Sequence, residues 1–236
     1  MHAPRNLAQE ARKNRKLLRR FDRIARRARP RLGQLGGDAV AEGILLDARA
    51  DYEKLLSELP DIGGNKNQFS KVIEINGWIV SLYRAMKAGG RATEEVVRIC
   101  CEVADDLFQP LPSFVRRLLG RLGFSRLVKR RMRKQAALSQ LRLYPADFVY
   151  TFQEEADGGW SLRFSECAVN KFYEAQGAED LKPYCNFFDV TYSRHLGMGI
   201  DASQTIGLGC KTCTLAYKRG RETAIPPPLR GLLPRT

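Results

Sequence analysis

Residues 148–164 read FVYTFQEEADGGWSLRF, and this stretch decides the fold. The runs Phe148–Phe152 and Trp160–Phe164 are rich in aromatic and β-branched residues, and large apolar side chains alternate with smaller or polar ones. That alternation is typical of a half-buried strand. The Asp157-Gly158-Gly159 sequence between the two runs is typical of a tight turn. We therefore predict a β-hairpin at this point of the chain.

Downstream of the hairpin, the sequence predicts two short helices and then two more strands. The helices cover about residues 167–176 and 178–196, and the strands about 199–207 and 212–218. A Pro-rich tail follows from Pro226. The order strand–strand–helix–helix–strand–strand indicates a four-stranded antiparallel sheet with two helices, ββααββ.

Upstream of the hairpin, apolar residues recur at three- and four-residue steps, which is typical of helices with one buried face. The predicted helices cover about residues 6–28, 38–59, 69–86, 93–107 and 113–138. Pro30, the Gly-rich loop 60–67, Gly89-Gly90 and the prolines at 110 and 112 separate them. The predicted fold class is therefore α+β, with an N-terminal helical region before the sheet.

Composition divides the chain into four segments. These are a basic N-terminal helix (1–35), a helical region (36–142), a cysteine-rich α+β region (143–220) and a Pro-rich tail (221–236). The formal net charge of +14 is concentrated in residues 1–35 and 112–142, each of which carries +10.

Two basic amphipathic helices can serve an acidic protein partner or an anionic surface, or they can be solvated faces with no partner. Few aromatic residues are interleaved with the basic ones, so we expect no specific nucleic-acid binding. The sequence contains no run of about 18 apolar residues and no apolar leader, so we expect a cytoplasmic protein without a transmembrane segment. In a reducing compartment its cysteines are expected to be free thiols, ligands or nucleophiles.

Four of the six cysteines lie between Glu166 and Leu215, together with a carboxylate and an imidazole. The candidate catalytic residues are Cys167, Cys185, Asp189, Cys213 and His195. Cys185 and Asp189 are four residues apart, which would place them on one face of a predicted helix. Cys167 follows a strand and opens a helix, where backbone N–H groups favour a thiolate, so it is the preferred nucleophile.

A nucleophilic Cys185 beside Asp189 needs a compensating cation or amide dipoles, and His195 or Lys211 can supply the positive charge. The alternatives are that the cysteines are small buried apolar residues, or that they bind zinc. Cys210-x-x-Cys213 with Cys167 and Cys185 would supply four thiolates to a structural zinc ion. Cys100 and Cys101 fall within a predicted helix and are expected in the core.

A second group of candidates suits an anionic substrate. The loop residues Gly63, Gly64, Lys66 and Asn67 can hold an anion with backbone amides and an ammonium group, although the same loop can be a plain connector. Arg84, on the next helix, can bind a carboxylate with two hydrogen bonds.

The chain resembles the family named for L-2-amino-thiazoline-4-carboxylic acid hydrolase over about residues 60–217. The matching pieces are Pro60-Asp61-Ile62-Gly63-Gly64-x-x-Asn67, Leu82-Tyr83-Arg84-Ala85, Cys167, Cys185, Asp189 and Gly209-x-x-x-Cys213. Thr214 and Leu215 depart from that pattern, because the family often has an acid and then an aromatic residue there, and Cys210 is an addition to it.

The resemblance implies a hydrolase or lyase that cleaves a carbon–nitrogen or carbon–sulfur bond in a small heterocyclic or thio/amidino compound, without a cofactor. Two alternatives have the same residues. One is a cysteine-based small-molecule or zinc-binding sensor module. The other is an enzyme similar in chemistry to organomercurial lyase, in which two thiolates hold a soft centre and an acid protonates the leaving carbon.

Overall fold

The computed structural model of the protein describes residues 7–234 and confirms the α+β fold. Within these residues the α-helices are α1 (Leu7–Gly33), α2 (Asp38–Leu55), α3 (Ser70–Ala88), α4 (Thr93–Asp105), α5 (Ser113–Leu122), α6 (Arg126–Ser139), α7 (Ala168–Ala175) and α8 (Phe187–Leu196). The strands are β1 (Val149–Glu154), β2 (Trp160–Glu166), β3 (Ile200–Gln204) and β4 (Cys213–Tyr217). The parts of the predicted N-terminal helix and tail at residues 1–6 and 235–236 lie outside the described residues.

The chain forms two compact units. The first comprises described residues 7–59 and 71–103, and the second comprises 60–70 and 104–234. The division into four segments by composition stays a prediction. Each unit has its own buried apolar side chains.

The first unit is helical, and its core follows the stripe predicted for α1. Phe21 on this helix is buried, and its ring stacks on Tyr52 of α2 at 5.2 Å between centroids. The sequence predicts that Pro30 ends α1, and that is wrong, because the helix continues to Gly33. Ala28 and Leu32, on either side of the proline, are both fully buried, so packing holds the last turn in spite of the missing N–H.

The second unit contains the antiparallel sheet, with the strand order β1-β2-β4-β3. The predicted hairpin joins β1 to β2, and Gly158 takes the positive φ of 83° that its turn requires. β2 and β4 pair in the register Phe164 to Cys213 and Trp160 to Tyr217. This register brings Cys213 beside the end of β2, which the chain leaves through Cys167.

Two predicted helices are interrupted in this unit. The basic helix predicted for residues 113–138 is two helices, because the chain turns at 123–125 and Ser125 caps α6 by accepting from the Val128 N–H at 3.3 Å. The helix predicted for 178–196 begins as a 3-10 helix, Glu179–Tyr184, which contains Pro183. Cys185 therefore lies two residues before α8 rather than inside the helix that carries Asp189.

The described helices were also compared with the length and hydropathy that a membrane span requires. No helix within residues 7–234 has both the length and the apolar character to cross a bilayer. The predicted cytoplasmic location stays a prediction.

Candidate functional site

Cys167 occupies the junction between β2 and α7. Its backbone is extended, with φ −116° and ψ 113°, and the helix begins at the next residue, Ala168. The backbone N–H groups of Val169 and Asn170, which have no partner inside the helix, lower the pKa of the Cys167 thiol. Burial acts in the opposite direction and is stronger, so the pKa of the thiol is raised overall. Cys167 as a whole residue is half-buried.

Lys171 is the cation beside this thiol. It lies one helical turn after Cys167, and its ammonium group lowers the pKa of the Cys167 thiol. The same ammonium donates to the Pro145 carbonyl at 2.8 Å and to the Glu166 carboxylate. Burial lowers the pKa of Lys171, and so does the charge of Arg142. For a nucleophilic Cys185 the sequence suggests His195 or Lys211 as the cation, and it does not single out Lys171 beside Cys167, although the spacing of four residues was the available signal.

The loop at residues 60–67 is linked to this lysine. Asn67 donates from Nδ2 to the Asp147 carboxylate at 2.8 Å and to the Ile62 carbonyl at 2.6 Å. Asp147 in turn interacts electrostatically with Lys171, and burial raises the pKa of its carboxyl. The Asn67 side chain is thus hydrogen-bonded to protein partners at the entry to β1.

The rest of the predicted anion loop has internal partners as well. Gly63 is left-handed, with φ 98°, and its N–H donates to Asp61 Oδ1 at 2.9 Å. The Lys66 N–H donates to the Gly63 carbonyl and the Asn67 N–H to the Gly64 carbonyl, at 3.3 Å and 3.1 Å. Three amides expected to face an anion are therefore used within the loop, while the Lys66 side chain is exposed.

Asp189 lies in the first turn of α8 and is held by two phenols. Tyr217 donates to its Oδ1 at 3.4 Å, and Tyr192 lies beside the carboxylate and lowers its pKa. The two tyrosine hydroxyls are hydrogen-bonded to each other. Burial raises the pKa of Asp189 to about 6, while the two tyrosines act in the opposite direction. The carboxyl is thus poised to exchange a proton near neutral pH, which is the property of a general acid or base.

Cys185 and Cys213 complete a cluster around this carboxylate. Burial raises the pKa of both thiols, and the negative charges of Cys167 and Asp189 raise them further. Gly207 lies against Cys185, because a Cβ added there would be 3.2 Å from its Sγ and 2.0 Å from the Lys182 carbonyl oxygen. The structure therefore places Cys167, Cys185 and Cys213 around Asp189, whose charge raises the pKa of each of the three thiols.

The cluster does not have the arrangement of a metal site. Among the described residues, no three His, Cys, Asp or Glu side chains are placed as ligands of one ion. Cys210, the fourth predicted zinc ligand, is exposed, whereas Cys213 is buried. Cys100 and Cys101 both lie in the buried core, as expected.

His195 has a different environment. Its Nε2 is 2.6 Å from Asp105 Oδ1, and its Nδ1 is 3.3 Å from Nη1 of Arg116. A guanidinium can only donate, so Nδ1 accepts and Nε2 carries the proton that goes to Asp105. The ring also stacks on Phe108. Both nitrogens are thus engaged away from the thiol cluster.

Arg84 belongs to the helical unit. Its guanidinium pairs with Asp51 at 3.3 Å, and Ser81 donates to the same carboxylate at 2.7 Å. The residue therefore binds a carboxylate, as the sequence suggested, but that carboxylate is part of the protein.

Two asparagines next to the thiols carry buried polar atoms that lack partners. Asn170 is 3% exposed, and neither its side-chain oxygen nor its nitrogen has a hydrogen bond within residues 7–234. Asn186 donates to the Ala202 carbonyl, but its Oδ1 has no partner in that part of the chain. An unpaired buried amide costs free energy, so it requires an explanation. Nothing in the sequence pattern singled out Asn170, Tyr192 or Tyr217.

Comparison with known proteins gives one match. The model of the L-2-amino-thiazoline-4-carboxylic acid hydrolase family matches residues 73–217, which include α7, α8 and all four strands. Neither the curated proteins nor the solved structures contain a match to the chain. The matched region covers more than half of the sequence and contains the whole thiol and carboxylate cluster, so the chain belongs to the L-2-amino-thiazoline-4-carboxylic acid hydrolase family.

Proposed function

We propose that the protein is a thiol-dependent hydrolase that opens a carbon–nitrogen bond in a small cyclic amidine of the thiazoline type. Cys167 is the nucleophile and Asp189 is the proton carrier. The observation that carries the proposal is the surroundings of Cys167. Two helix amides and Lys171 lower the pKa of its thiol against the effect of burial, and the charge of Asp189, whose pKa is about 6, acts on the same thiol. The family's name, that of a hydrolase, supports this choice.

In the first step Asp189 acts as a base. Its pKa of about 6 leaves it ionised at neutral pH, while the Cys167 thiol, with its raised pKa, is protonated. Asp189 accepts the thiol proton as the sulfur attacks the amidine carbon, and Lys171 with the α7 amides stabilises the charge that develops on sulfur.

In the second step the proton is returned. The substrate reacts as the tautomer with an exocyclic C=N bond and a ring N–H. Protonated Asp189 donates to that ring nitrogen as its bond to carbon breaks, and the electron pair that the attack placed on the exocyclic nitrogen re-forms the C=N bond, which leaves the carbon attached to Cys167. Water then adds to that carbon, its proton passes to Asp189, and the carbon–sulfur bond to Cys167 breaks. The released thiolate recovers its proton from Asp189, so one water molecule is consumed and the enzyme is unchanged.

Other residues serve the substrate in this proposal. The buried Asn170 amide, which has both a donor and an acceptor to offer, binds the amidine or its carboxylate. Cys185 and Cys213 remain neutral thiols that line the site, because the pKa of each is raised by burial and by neighbouring negative charge. Gly63, Gly64, Lys66, Asn67 and Arg84 stay predictions as substrate ligands, and His195 stays one as a catalytic residue.

A second candidate is cleavage of a carbon–metal bond, and the observation that favours it is the presence of three thiols around one carboxylate. Elimination by a lyase is a further alternative with the same residues. The sensor alternative with structural zinc has no set of ligands within residues 7–234.

An acidic protein partner or an anionic surface for the basic helices also stays a proposal.

The test is incubation of the purified full chain with 2-amino-thiazoline-4-carboxylate in water enriched in oxygen-18. Hydrolysis places one labelled oxygen in the product, whereas elimination places none, and mass spectrometry separates the two. Cleavage of an alkylmercury compound, with no turnover of the thiazoline, would favour the second candidate and contradict the first.

A further inference from the structure

The outer side of α5 is apolar where a surface helix is normally polar. Phe114, Leu118, Leu119 and Leu122 form what we call the α5 outer face, and these side chains are 65%, 53%, 40% and 50% exposed. Large apolar side chains grouped on one exposed helix face are uncommon in a protein that keeps that face in water.

The orientation of α5 is fixed by a close contact on its opposite side. A Cβ at Gly120 would be 2.0 Å from the Leu196 carbonyl oxygen, so this side of α5 lies directly against the end of α8. Leu118 and Leu122 are two residues from Gly120 in either direction, which places each about 160° around the helix axis from it. The two leucines therefore point away from the protein body, and the apolar face is a consequence of how the helix is docked.

The same region carries an unbalanced positive charge. Residues 112–142 contain ten Lys and Arg residues and no acidic residue. Within residues 7–234, six of these cations are exposed and form no ion pair with a carboxylate: Arg117, Arg121, Arg126, Arg130, Arg131 and Lys134. Leu127, at 78% exposure, adds an apolar side chain among them at the start of α6.

We propose that the α5 outer face and the cations around it dock this protein on an anionic lipid bilayer. Apolar side chains on a short helix enter the boundary between headgroups and acyl chains, while surrounding Arg and Lys residues bind anionic headgroups. The phosphates of a nucleic acid would bind the Arg and Lys residues but would leave the exposed leucines in contact with water. An acidic protein would require its own apolar patch opposite the four side chains, whereas a bilayer supplies both the charge and the apolar phase.

The experiment measures co-sedimentation of the full chain with vesicles of phosphatidylcholine alone or with about 30% phosphatidylglycerol. We expect binding to the anionic vesicles, at least tenfold weaker binding to the neutral ones, and weakening as NaCl rises from about 0.1 M to 0.5 M. The double variant Leu118→Ser/Leu122→Ser should bind the anionic vesicles at least tenfold more weakly, and Arg130→Gln/Arg131→Gln should show a smaller loss.

Leu46→Ser is the matched control, because Leu46 is an equally exposed leucine, at 62%, on the helix α2. It should bind as the unchanged protein does. Circular dichroism confirms that each variant is folded. Equal binding by Leu118→Ser/Leu122→Ser and Leu46→Ser would overturn the proposal. Absence of binding to anionic vesicles would also overturn the proposal. Dimerisation or polyglutamate binding through the α5 outer face would overturn it as well, because the face would then bind a protein and not a bilayer.

Discussion

At the scale of single residues, the central feature is the Asp189 carboxyl group, whose pKa is raised to about 6. Asp189 is buried, its charge acts on three thiols, and Tyr217 donates to it without bringing a full positive charge. An aspartate on the surface would be fully ionised at pH 6 and a poor proton donor. The fold therefore makes an ordinary side chain able both to accept and to return a proton.

The first prediction is that Asp189 governs the pH dependence of catalysis. If its carboxylate is the base, kcat/KM falls as the pH drops below about 6, where Asp189 becomes protonated. Asp189→Asn should fold, lose at least tenfold in kcat, and lose this acid limb. A pH profile of Asp189→Asn with the limb intact would remove the residue from the proton transfer.

Stability gives an independent check on the same group. The folded pKa of about 6 lies above the ordinary value of 3.8, so the folded state holds its proton more tightly, and stability falls as pH rises from about 4 to about 6. Asp189→Asn carries no charge to desolvate. Its free energy of unfolding should match that of the unchanged protein near pH 4 and exceed it at pH 7.5 by up to about 3 kcal/mol. Equal stability at both pH values would contradict the raised pKa.

The second prediction concerns the unpaired amide of Asn170. Replacing it by leucine, which has a similar shape, removes two unsatisfied polar atoms whose burial costs about 1–3 kcal/mol. We expect Asn170→Leu to raise the melting temperature and to lower kcat/KM at least tenfold, chiefly through KM. A destabilised variant with unchanged KM would indicate that the amide is structural.

At the scale of elements, the site depends on the approach of two loops. The turn at Gly207 lies against the end of the 3-10 helix Glu179–Tyr184, with no room for a side chain. This contact sets the position of Cys185 beside Asp189. The wall of the site is thus built by backbone packing as well as by side chains.

The third prediction follows from that contact. Gly207→Ala places a Cβ 2.0 Å from the Lys182 carbonyl oxygen, so the two segments must separate, at a cost of about 1–3 kcal/mol. Cys185 should then react faster with iodoacetamide. Gly43→Ala in α2 is the control, because its Cβ meets nothing within 4 Å, and it should stabilise the protein by about 0.5–1 kcal/mol. Unchanged stability of Gly207→Ala would contradict the close packing.

Local patterns predicted the elements well and their interruptions poorly. The hairpin at 148–164 followed from alternation and a turn sequence, which act over a few residues. The breaks at 123–125 and near Pro183, and the continuation of α1 through Pro30, depend on packing against distant residues. Cys185 and Asp189 were expected on one helix, and they meet across an interruption instead.

At the scale of the whole molecule, the cysteine cluster was easier to predict than its partners. Cys167, Cys185, Asp189 and Cys213 stand out by residue type, and the sheet register brings them together. Lys171 and Asn170 do not stand out, because lysines and asparagines are common on helices. His195 is a candidate catalytic residue by its residue type, yet its two ring nitrogens are hydrogen-bonded to Asp105 and Arg116.

The fourth prediction is that the start of the chain is not needed for turnover. In α1 the buried stripe begins at Leu17, and residues 11–13 and 15–16 are exposed. Removal of residues 1–15 should therefore leave kcat/KM within about twofold, since no core packing is lost. The measurement is turnover by the truncated and complete chains at equal folded concentration. Total loss of activity in a folded truncated protein would contradict this prediction and indicate that residues 1–15 contribute to the site.

The central claim is that Cys167 is the nucleophile, and one comparison tests it most directly. Cys167→Ser replaces the thiol beside Lys171, whereas Cys210→Ser replaces an exposed thiol on the nearby turn. With 2-amino-thiazoline-4-carboxylate as substrate, the measured quantity is kcat/KM of the two folded variants. We predict a loss of at least about 10³-fold for Cys167→Ser, because a serine hydroxyl is far harder to deprotonate, and less than about twofold for Cys210→Ser. Turnover by Cys167→Ser at the rate of Cys210→Ser would contradict the account.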